Sequence, residues 1–154
     1  MSLTNAKAIS SFKRFKRAVR LGLYLTEAFI ELCLARLTVW FIPFKVFKRG
    51  LGKHMHLSAE QHYKSEQAVA KKLSWAIQTV ARYTPFKSNC MVQALAAKRM
   101  FRKRKFATTL YIGVGKDQGN NKLNHAWLRS GPIIVTGNLR DLDSYAIIGT
   151  YAEE

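Results

Sequence analysis

Between Arg102 and Ala107 the apolar residues change their spacing. Upstream they recur three and four apart, the period of one helix face; downstream they alternate, the period of a strand with one buried side. Helices first and strands after predict an α+β domain in which a helix packs on a small antiparallel sheet. At 154 residues with 48% apolar, the chain has room for one such core.

The first helical stretch runs from about Lys7 to Arg49. A basic opening (Lys13, Arg14, Lys16, Arg17, Arg20) precedes Leu21, Leu25, Ala28, Phe29, Leu32, Leu37 and Trp40, and Pro43 and Gly50 to Gly52 end or break it. Leu21 to Phe44 is long enough to span a bilayer, but Glu27, Glu31 and Arg36 interrupt it. An amphipathic helix in a membrane interface is a second reading, and the interrupting charges favour the third, a helix packed on the domain or on a partner. Cys33, in this apolar stretch, reads as core.

A second helix is predicted from Ser58 to Tyr83, opened by a capping box at Ser58-Ala59-Glu60-Gln61 and stopped by Thr84-Pro85. A third follows from Met91 to Lys103 with Ser88 or Asn89 as N-cap, so that Cys90 lies in its first turn. Its cationic end, Lys98-Arg99 and Arg102 to Lys105, suits the helix dipole and reads as a solvated end or a docking patch. Strands are expected at Ala107–Val114, Leu123–Arg129 and Ile133–Thr136, with one more within Ser144–Thr150. The chain thus divides into a basic amphipathic helical region, residues 1–57, and a core domain, residues 58–154.

Twenty-six Lys and Arg against nine Asp and Glu give a net charge of +17, which attracts polyanions, acidic membranes or an acidic protein. No RNA or DNA module accompanies the charge, so no specific nucleic-acid partner is expected. The two cysteines, Cys33 and Cys90, lack paired spacing, and no small-residue cleavage site follows the basic opening; a cytoplasmic setting is expected. His54, His56 and His62 have no carboxylate or thiol at ligand spacing, so no metal is expected, and Gly113-Val114-Gly115 lacks the third glycine and the helix of a phosphate loop.

One constellation carries chemistry. A thiol at a helix N-terminus is stabilised as thiolate by the dipole and by a nearby histidinium, which makes Cys90 a candidate nucleophile. His125 falls in a strand, and a two-residue turn at Gly131-Pro132 pairs Ser130 with Ile133, Leu128 with Val135 and His125 with Asn138 if no bulge intervenes. Cys90, His125 and Asn138 then stand as nucleophile, base and orienter, with Asp141 in reserve.

At these residues the chain resembles the stand-alone leader peptidases of lasso-peptide biosynthesis, transglutaminase-like cysteine proteases. The matching stretches are Ala81-Arg82-Tyr83-Thr84-Pro85, Cys90-Met91-Val92-Gln93-Ala94-Leu95-Ala96, Leu110 to Val114, His125-Ala126-Trp127-Leu128-Arg129 and Ile134 to Gly137. The resemblance implies a papain-like core and cleavage of a leader from a ribosomally made precursor by Cys90 and His125, without a cofactor. Gln93 and Trp127 would support the oxyanion and the site. It also implies a separate leader-binding protein and an ATP-dependent cyclase as partners, with the basic N-terminal region as their dock or as a peripheral membrane contact. The family commonly has an Asp after the His strand, where this chain has Asn138, with Asp141 and Asp143 further on. The alternative is a non-catalytic binding module of the same fold that holds a protein or an anionic surface.

Overall fold

The computed structural model of the chain describes residues 3–58, 64–116, 122–139 and 141–153. Its elements are α1 (Leu3–Phe41), α2 (Phe44–Phe47), β1 (Lys53–His54), α3 (Lys64–Ala81), α4 (Cys90–Arg102), β2 (Thr108–Lys116), β3 (Lys122–Ser130), β4 (Ile133–Thr136) and β5 (Ala146–Glu153). The strands form one antiparallel sheet in the order β1-β5-β2-β3-β4, and the helices stack on one face of it. The α+β expectation holds. The two-residue β1, following Gly52, is too short for alternation to reveal.

Leu110, Ala126, Leu128 and Val135 line the covered face of the sheet, beneath Leu73 and Ile77 of α3 and Val92, Ala96 and Met100 of α4. α1 packs on α3 and α4 through Ala28, Leu32 and Ala35, all fully buried. The helix therefore docks on the domain, as its interrupting charges suggested. Its docking face is narrower than the sequence pattern implied: Phe29, Leu37 and Trp40 are exposed and Cys33 is half-buried.

The interrupting acids explain the docking. Glu27 takes a two-pronged hydrogen bond from Arg104, at 2.9 and 2.6 Å, and the buried Glu31 pairs with Lys103 at 2.6 Å. Arg99 donates to Thr38 Oγ1 (2.8 Å), and Arg102 reaches the Gly50 carbonyl and Glu153. The cationic end of α4 is thus solvated only in part: Arg102, Lys103 and Lys105 are exposed, while Arg99, Arg102, Lys103 and Arg104 stitch helices and sheet together. Lys98 lies deeper still, fully buried, 3.2 Å from the Tyr151 carbonyl and 3.5 Å from Glu153. Burial pushes its pKa down to about 8 against the pull of Glu153.

Two further expectations need correction. The Ser58 hydroxyl, expected to cap a helix, is shared with Thr109 Oγ1 at 2.8 Å, and Ser58 N–H donates to the same atom. The remainder of that capping box lies outside the described residues. In the hairpin, Ser130 faces Ile133 as counted, but a bulge follows, so that Leu128 faces Thr136 rather than Val135. The extra residue is Val135. Its carbonyl leaves the ladder to accept from Ser74 Oγ (2.6 Å) and Gln78 Nε2 (3.0 Å) of α3.

Candidate active site

Cys90 is the first residue of α4, and Asn89 is its N-cap, accepting from Val92 N–H at 3.0 Å. The Asn89 carbonyl takes Gln93 N–H at 3.0 Å. Of the four N–H groups a helix leaves without intrahelical partners at its start, those of Cys90 and Met91 remain without an acceptor among the described residues. They lie beside the thiol, where a developing oxyanion would need donors.

The turn before Cys90 is fastened. Gln93 Nε2 donates to the Ser88 carbonyl at 2.8 Å, and the Ser88 hydroxyl bonds that of Thr84 at 2.8 Å. Thr84 Oγ1 is also within reach of the Ala81 and Phe86 carbonyls, at 3.1 and 3.0 Å. The side chain of Gln93 therefore braces the segment that positions Cys90. The sequence marked Thr84 as part of a helix stop and Ser88 as a possible N-cap, but not their hydroxyl pair, whose signal is two hydroxyls flanking a proline just before the helix start.

α4 packs on β3, the strand that carries His125. His125 Nε2 lies 2.8 Å from the Gly137 carbonyl. A carbonyl only accepts, so Nε2 carries the hydrogen and the neutral ring keeps its lone pair at Nδ1, the arrangement of a general base. The His125 ring stacks on Trp127 at 5.8 Å between centroids, and Trp127 lies flat on Tyr111 at 5.3 Å. Tyr145 closes over the imidazole at 5.5 Å, a contact the sequence pattern did not signal. Gly113 and Gly115 make room for these rings: a Cβ on either would meet Trp127 or Tyr145 at about 3 Å.

Asn138 is exposed, and among the described residues no hydrogen bond joins it to His125. The Val135 bulge shifts the count, β4 ends at Thr136, and the atom that reaches the imidazole is the backbone oxygen of Gly137. Asp141 is likewise exposed; its carbonyl accepts from Ser144 N–H and Oγ. No hydrogen bond joins the Cys90 thiol to His125 among the described residues.

A family model described as the Transglutaminase-like superfamily matches residues 38–150, well over half of the chain. The chain belongs to the transglutaminase-like superfamily. No curated protein and no solved structure matches it. The transglutaminase-like fold includes cysteine peptidases, and acyl transfer through a thiol is common in the superfamily. The match begins inside α1, so the C-terminal part of that helix falls within the transglutaminase-like region.

Proposed function

We propose that this transglutaminase-like chain is a cysteine peptidase that removes the leader from a ribosomally made lasso-type precursor, in partnership with a separate leader-binding protein and an ATP-dependent cyclase. The observation that carries the reading is Cys90 standing first on a capped helix in a transglutaminase-like region that also holds His125; α4 packs on the Ala126 and Leu128 face of β3, and His125 lies on its other face with Trp127 and Tyr111. The partners rest on the sequence stretches around Cys90 and His125 alone.

In the proposed reaction His125 Nδ1 takes the thiol proton and Cys90 Sγ bonds to the carbonyl carbon between leader and core. The Cys90 and Met91 N–H groups hold the resulting oxyanion. The C–N bond then breaks, the imidazolium protonates the leaving amine of the core, and a thioester remains. Water, giving its proton to His125, attacks the thioester and releases the leader as a carboxylate with the thiol restored. The missing thiol–imidazole hydrogen bond suits an empty site, since such bonds commonly tighten only with substrate. An open groove of about 490 Å³ is lined by Tyr111, Trp127 and Tyr145, the last two in ring contact with His125, and offers an apolar seat for side chains beside the cleaved bond.

The same missing bond favours a second reading, a binding module without catalysis. Cys90→Ala separates the two. With the leader-binding partner present, mass spectrometry of a candidate precursor should show cleavage falling at least a thousandfold; undiminished cleavage by the variant would exclude the peptidase mechanism.

A further inference from the structure

α1 extends roughly 58 Å at 1.5 Å per residue, and the domain covers only one side of it. Successive residues turn by about 100°, so the side opposite Ala28, Leu32 and Ala35 is occupied by Phe12, Phe15, Val19 and Leu23, all exposed. The line continues through Ile30, Leu34 and Phe41, the last 71% exposed, and α2 prolongs it with Phe44 and Val46. From Phe12 to Phe41 this uncovered apolar stripe runs roughly 44 Å.

Charge indicates what covers it. The only acids of α1, Glu27 and Glu31, are turned to Arg104 and Lys103, so no carboxylate of the helix offsets its exposed cations. Lys13, Lys16 and Arg20 of α1 and Lys71 and Lys72 of α3 line an open groove of about 610 Å³ beside the stripe, with Tyr24 and Trp75 among its walls. Lys16 lies over the Phe12 ring and Arg36 over Trp40, long cationic side chains folded along apolar rings. A second copy would bring the same cations against these, at +17 per chain.

We infer that α1 lies flat on an anionic membrane surface, its stripe at the boundary of headgroups and acyl chains and the cations of the groove against lipid phosphates. Among the described residues no helix is long and apolar enough to cross a membrane, so the helix rests on the bilayer rather than spanning it. Membrane attachment stands independently of the peptidase reading.

Sedimentation of the full chain with vesicles tests it. Vesicles of equal parts phosphatidylserine and phosphatidylcholine should carry the protein down at low salt, with affinity at least tenfold above that for phosphatidylcholine alone. The triple variant Phe15→Gln, Leu23→Gln, Phe41→Gln keeps every charge and alters only exposed positions; it should lose at least tenfold in affinity while its circular dichroism stays unchanged. Equal binding by the variant would mean that bulk charge alone does the work, and no binding by the native chain at low salt would overturn the inference outright. If the native chain sediments as a dimer without vesicles and the variant as a monomer, the stripe joins two copies instead.

Discussion

Gly137 has to be glycine twice over. Its φ of 75° lies in the left-handed region, and a Cβ would come within 2.5 Å of the Ala126 carbonyl oxygen and 2.8 Å of Trp127 Cβ. Both neighbours adjoin His125, so the carbonyl that holds the imidazole is placed by close contact with the strand that carries it. Gly137→Ala should therefore destabilise the fold by about 2 kcal/mol in urea titrations and also misplace the His125 ring, lowering turnover more than KM. With a backbone atom as orienter, Asn138→Ala and Asp141→Ala should each keep turnover within about tenfold, whereas His125→Ala should lose at least a thousandfold. A hundredfold loss in Asn138→Ala would return the orienting role to that side chain. The turn and its Ser130–Ile133 pair were readable from the sequence; the register beyond them and the identity of the acceptor were not, because a bulge made by a backbone carbonyl bonding α3 leaves no mark on residue type.

Among the elements, α4 is the hinge of the architecture, capped at one end beside the thiol and tied at the other to α1. Its stop is less favourable than its start. Lys105 takes a left-handed conformation at φ 56° so that Phe106 N–H can bond the Phe101 carbonyl at 3.1 Å. Lys105→Gly should raise stability by about 1 kcal/mol, read from the denaturation midpoint at unchanged m-value, since the exposed side chain is replaced by the residue that conformation favours. A lower midpoint would mean that the lysine contributes more than its backbone costs. The helices and strands were largely legible, down to β4 and the Asn89 cap, because periodicity and caps are local. The pairing of Glu27 and Glu31 with Arg104 and Lys103 was not. Their polar face was visible, but partners more than seventy positions away are chosen by tertiary packing.

For the molecule as a whole, stability should follow pH through Lys98. Its folded pKa of about 8 lies below the usual 10.5, so between those values the unfolded chain binds more protons than the native one. The contribution of this group to stability is therefore least below about pH 8 and rises with pH across that window, by up to about 3 kcal/mol. Chemical denaturation of native and Lys98→Met chains at pH 7 and pH 10 measures it as the difference between their pH slopes; parallel slopes would show that Lys98 titrates as it does in the unfolded chain. The basic composition was plain from the sequence, yet composition says nothing about which cations are internal ties and which remain for a partner. A last consequence concerns where the chain can change length. In a strand, losing one residue turns every later group to the other side, and the Val135 bulge is what delivers the Gly137 oxygen to the imidazole. Insertions and deletions that a surface loop would absorb should be excluded between Ile133 and Gly137, so that relatives sharing this chemistry would keep that spacing even where their residues differ.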